Sequence, residues 1–170
     1  MRFLFFLFFL VFVSCLDSQN KNADETLSNS FVELVTKEDV KSLNYTDFVL
    51  DDKVEKVTSS WEKYNELQKV ILDIKDANLS FFRDNNEIIT ALIEDLKTTI
   101  PEQIKSPHVE ARILAMETKL FKLESHSNLS NVKKETILKT IEEVLIAFSN
   151  FNLQMNKKIE KESQRIQRPT

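Results

Sequence analysis

The stretch from Asp76 to Asn86, "DANLSFFRDNN", decides how this chain folds, because it interrupts a long helical period. Ahead of it, from about Thr46, Leu50, Val54, Val57, Trp61, Tyr64, Leu67, Ile71 and Ile74 recur at three- and four-residue steps, one face of a helix. Behind it Ile88, Ile89, Leu92, Ile93 and Leu96 resume the same spacing as far as Ile100-Pro101. If one helix ran through, Asn78 and Asn85 would fall near its apolar stripe, where a polar residue can fix register. The simpler reading is that they mark a break.

The tripeptide Asn-Leu-Ser inside this stretch, at 78–80, returns at 128–130. Between the two copies Pro101 and Pro107 bracket "PEQIKSP", the clearest turn in the chain. Ser106-Pro107 reads as an N-cap followed by proline in the first helical position, where its missing N–H costs nothing. Val109, Ile113, Met116, Leu120 and Leu123 then form a seam, which weakens at 125–131. A last helix follows on Val132, Ile137, Ile141, Val144, Phe148, Phe151, Met155 and Ile159.

Two all-α architectures fit this symmetry. One is a long two-helix coiled-coil hairpin with its soft spots level; the other is an antiparallel bundle of four helices in which both soft spots are turns. Ile88, Ile89, Leu92, Ile93 and Leu96, like Ile137, Leu138, Ile141, Val144 and Leu145, make a broad apolar face that wants more than one neighbour. The bundle is therefore expected over residues 44–166. The hairpin would leave much apolar surface wet unless it formed a homo-oligomer.

Upstream, residues 31–43 read as a short helix or linker, with Phe31, Leu34 and Val35 on one face. Residues 15–30 are polar, without a sustained apolar period, and read as a flexible tether. Residues 1–14 begin with Arg2 and run apolar from Phe3 to Val13, too short to span a bilayer but suited to a cleaved secretory signal.

The chain's single cysteine, Cys15, stands where the apolar run turns polar. With no second cysteine an internal disulfide is excluded, and a lone thiol in an oxidising compartment is a liability unless used. Phe12-Val13-Ser14-Cys15 resembles the lipobox of bacterial lipoproteins, with Phe12 where an aliphatic residue is usual. The resemblance covers only the first 16 or so residues. It implies that Cys15 is diacylated, exposed by cleavage and acylated again, with palmitate-like chains anchoring the protein to a membrane. Leu16 stands where an aspartate would retain such a protein in the inner membrane, so the resemblance implies the outer membrane, facing the periplasm. The bland alternative is an ordinary signal with an incidental cysteine.

Glycine is absent, where about 7% is average. Phosphate-cradling loops, dinucleotide fingerprints and nucleophile elbows all need it, so composition argues against a nucleotide-dependent enzyme. Lys and Arg number 23 against 27 Asp and Glu, a net charge of −4 that argues against nucleic acid as a partner. His108 and His126 are the only histidines, neither in a di-iron or zinc motif. His126 is expected in a loop, and neither is expected to ligate. No catalytic residue, metal site or cofactor is expected, and the chain reads as a non-enzyme.

The function expected is that of an envelope lipoprotein whose bundle is a structural or interaction module for another envelope protein. A second possibility is a carrier or sensor of a small apolar ligand held near Trp61, Tyr64, Phe81 and Phe82, against the commoner reading of those rings as core. A third is a secreted eukaryotic glycoprotein, since Asn44-Tyr-Thr, Asn78-Leu-Ser and Asn128-Leu-Ser match the N-glycosylation pattern.

Overall fold

A computed structural model describes residues 35–164. The described chain is all-helical and contains no strand: α1 (Lys37–Lys41), α2 (Asp52–Thr58), α3 (Glu62–Lys75), a 3-10 turn (Ser80–Phe82), α4 (Asn86–Thr98), α5 (Pro107–Ser127) and α6 (Lys134–Ser163). The four longer helices, α3 to α6, form an antiparallel bundle. Cross-helix pairs fix the directions, because partners converge in number as one helix advances: Trp61 meets Thr99 and Lys63 meets Asp95 between α3 and α4. Lys122 meets Glu143 and His126 meets Thr140 between α5 and α6.

Both soft spots are turns, as the bundle requires, and they lie against each other. The Asn128 side chain donates to the Phe82 carbonyl at 2.9 Å and accepts from the Asp84 N–H at 3.2 Å. One copy of Asn-Leu-Ser thus ties down the loop that contains the other. The first copy terminates α3 through local geometry: Asn78 N–H reaches the Asp73 carbonyl at 2.8 Å, and Ala77 N–H reaches Ile74 at 2.9 Å. This is a Schellman closure, whose left-handed position is normally glycine. Here Ala77 takes it, with φ of 60°, and Asp84 takes a second left-handed position at 50°. Asn78 then accepts from the Ser80 N–H and hydroxyl, making the following turn.

At the proline turn the expected cap is present, the Ser106 hydroxyl accepting from Val109 N–H at 3.3 Å with Pro107 opening α5. One continuous core fills the bundle, with Leu67, Ile74, Phe82, Ile93, Ile113 and Phe151 among its sealed side chains. Burying each is worth about 1.5–3 kcal/mol.

Two sequence expectations are corrected. The helix expected from about Thr46 is chain without regular secondary structure over 43–51, followed only by the short α2 and a break at 59–61. The physical reason is a set of long-range hydrogen bonds to that backbone, described below. Ile88, placed on the broad apolar face of α4, is half exposed at 50%, while Ile89, Leu92, Ile93 and Leu96 are buried. The stripe is one position narrower than it reads.

Candidate interaction site: a docked arm over an aromatic cluster

Residues 35–51 lie across the bundle as an arm. Its first element, α1, is closed by a capping box in which Thr36 accepts from Asp39 N–H and Asp39 accepts from Thr36 N–H. Asp39 also pairs with Lys134 at 2.6 Å, and Lys37 pairs with Asp76. The Lys134 ammonium, with the Thr36 backbone and hydroxyl donors, holds the Asp39 carboxyl down at about 2. Val35 and Val40 turn inward and join the core.

From Leu43 the arm is not helical, so its backbone groups cannot pair along a helix and must find partners elsewhere. Three side chains of α6 supply them. Ser149 accepts from Phe48 N–H at 2.8 Å and donates to the Thr46 carbonyl at 2.5 Å. Asn152 donates to the Phe48 carbonyl at 3.1 Å. Asn156 accepts from Asp51 N–H at 3.0 Å and donates to the Val49 carbonyl at 2.8 Å. These bonds read backbone, not side chains. Beside them Lys75 grips Asp47 at 2.6 Å. Burial works against the Lys75 charge, but Asp47 and the Tyr45 phenol outweigh it and raise its pKa.

Beneath the arm lies an aromatic cluster. Trp61 stacks on Tyr64 with centroids 5.7 Å apart, Tyr64 stacks on Phe148 at 6.0 Å, and Phe151 meets Trp61 edge-on at 6.1 Å. The polar tips are satisfied inside the fold. Trp61 Nε1–H donates to Thr99 Oγ1 at 2.9 Å, and the Tyr64 hydroxyl donates to Asn152 Oδ1 at 2.9 Å. Burial holds the Tyr64 phenol well above its usual pKa. Asn152 therefore joins arm and cluster, one amide serving both.

The four rings singled out from sequence are not one site. Trp61 and Tyr64 share the cluster, whereas Phe81 and Phe82 contact each other at 5.3 Å beyond the far end of α3. The part of that helix beyond Tyr64, residues 65–75, separates the pairs by about 16 Å of rise. Trp61, Tyr64 and Phe82 are buried, and Phe81 is partly so. On the outer side of α3, Ser59, Ser60, Glu62, Asn65, Glu66 and Lys69 line an open polar groove of about 520 Å³.

His126 is not in a loop but in the last turn of α5, where the helix runs on through residues 125–127 of the stretch in which its period fades. Its Nδ1 lies 2.8 Å from Thr140 Oγ1, whose own proton goes to the Thr136 carbonyl, so Nδ1–H is the donor. His108 is exposed in the first turn of α5. Among the described residues, no group of three His, Cys, Asp or Glu side chains is placed to hold a metal ion. Among the sequons, Asn44 is exposed on the arm, whereas the Asn128 amide is engaged with Phe82 and Glu124. A glycan on Asn128 would break the turn it makes.

Cys15, with the leader and tether, lies outside the described residues. Among those described, no helix is long and apolar enough to cross a membrane. No family model, curated protein or solved structure matches the chain. Ser149, Asn152 and Asn156 were missed in the sequence. Their signal is a row of amide and hydroxyl residues spaced three and four apart, one position round from the stripe of Phe148, Phe151 and Met155.

Proposed function

We propose that this protein is a bacterial envelope lipoprotein, anchored through acyl chains on Cys15, whose bundle serves as a structural or interaction module without catalysis. The observation that carries the reading is the boundary Phe12-Val13-Ser14-Cys15, a lone cysteine at the end of a short apolar leader. The arm's placement is consistent with it. The chain enters the bundle beside Asp76 and Lys134, at the pole carrying both Asn-Leu-Ser turns. About 20 residues separate Cys15 from Val35, a reach of at most roughly 70 Å. The pole with the proline turn would then point away from the lipid, towards an envelope protein partner.

Confinement to a surface raises the effective concentration of weak contacts, so a modest bundle surface suffices for a durable association. The anionic net charge suits a protein partner and not nucleic acid. The outer membrane, on its periplasmic side, is the location that Leu16 favours. The test is fractionation of cells making the wild-type chain or Cys15→Ser. The reading expects the wild type in the outer-membrane fraction and the variant displaced from it; an unchanged distribution would overturn the anchor.

A further inference from the structure

The break between α2 and α3 contradicts the sequence that makes it. Leu50, Val54, Val57, Trp61, Tyr64 and Leu67 keep one helical face across Ser59 and Ser60, with no glycine or proline between them. The break is held locally by one side-chain bond, Asn65 Nδ2–H donating to the Ser59 carbonyl at 3.1 Å. The N-cap of α3 is Trp61, at φ −89° and ψ 89° with no side-chain cap, where Ser, Thr, Asp or Asn would be favoured. The Ser59 and Ser60 hydroxyls bond the carbonyls of Lys56 and Val57 three residues back, as serines do inside a helix. Local preference therefore favours one helix over 52–75, and the tertiary contacts of the arm with α6 hold it bent.

The geometry points to residues 35–58 as an exchangeable arm: straightening α2 and α3 into one helix carries the arm onto the α6 face bearing Ser149, Asn152 and Asn156 of a second copy, giving a reciprocal dimer. The occupant is a second copy because its arm reproduces every contact seen within one chain. Ser149, Asn152 and Asn156 would meet the same backbone groups, Lys75 the same Asp47, and Lys134 the same Asp39. The contacts cancel between monomer and dimer. What differs is the hinge, which is bent and poorly capped in the monomer and a regular helix in the dimer, and the association entropy opposing it. Exchange of an identical element is a low-cost route to dimers for this reason. The inference does not depend on the lipid anchor, although confinement on a membrane would favour it.

The test uses the full chain in detergent, with mass measured by light scattering over a range of concentrations. Ser59→Ala/Ser60→Ala favours the straight helix and should strengthen dimerisation at least about tenfold, from the helix propensities of four substituted residues per dimer. Ser60→Pro keeps the bend and should be monomeric. A second measurement places the arm: Asp47→Lys and Lys75→Asp chains are mixed and the dimers weighed by native mass spectrometry. Exchange predicts excess heterodimer, since each arm then meets an opposite charge on the other chain. Equal oligomeric states for wild type and the alanine variant, or dimers forming in statistical proportions in the mixture, would overturn the proposal.

Discussion

Asn152 is the side chain on which most depends. Its carbonyl takes the Tyr64 hydroxyl and its amide holds the Phe48 carbonyl, so removing it leaves two polar groups without partners in the buried seam between arm and core. Asn152→Ala should destabilise the fold by about 2–3 kcal/mol in urea denaturation, and Tyr64→Phe by less, about 1–2 kcal/mol. A cost within experimental error for Asn152→Ala would mean the arm is not held as described. Ala77 offers the opposite test. An alanine in the left-handed region carries strain of about 1–2 kcal/mol, which glycine relieves at some cost in chain entropy. Ala77→Gly should therefore raise stability by about 1 kcal/mol, read as a higher denaturation midpoint at unchanged slope.

At the scale of elements, the arm is joined to the bundle by one set of contacts that salt and acid address and another that they do not. The pair of Lys37 with Asp76 is exposed and worth little, those of Lys75 and Lys134 are partly shielded, and all three weaken with ionic strength. The Asp39 carboxyl is held below its ordinary value of 3.8 at about 2. Its contribution is thus complete above about pH 4 and is lost as pH falls towards 2, where protonation breaks the Lys134 pair and one arm of the capping box. A carbon-detected NMR titration of Asp39 should give a midpoint near 2, and a midpoint near 3.8 would show α1 undocked. The helices themselves were legible: α5 and α6 follow from the Ser106-Pro107 cap and from seams that the structure buries, Ile113 and Leu120 on one side, Ile141 and Phe151 on the other. The non-helical arm was not, because periodicity sees neighbours three and four apart, whereas the bonds from Ser149 and Asn152 to Thr46 and Phe48 join residues about a hundred positions away. The break at Ser59 and Ser60 was hidden for the same reason, since the apolar face passes through it unchanged. Of the candidate rings, the Trp61 and Tyr64 pairing could be read from their spacing, but their separation from Phe82 depends on where α3 stops.

For the whole molecule, the bundle supplies one continuous core, the arm fixes the pole at which the described chain enters it, and under the proposed reading Cys15 upstream would carry the anchor. Under the proposed anchor the arm would be the last described element before the core. A pull on the tether would be felt first at Asp39–Lys134 and Lys37–Asp76, and next at the ladder from Ser149 to Asn156. The anchor is the claim on which this arrangement rests. Its direct test is the mass of the N-terminal peptide of protein recovered from bacterial membranes. The account predicts a peptide that begins at Cys15 and carries a diacylglyceryl group and a further acyl chain. A peptide containing unmodified Cys15, or beginning at or beyond Leu16, would contradict it.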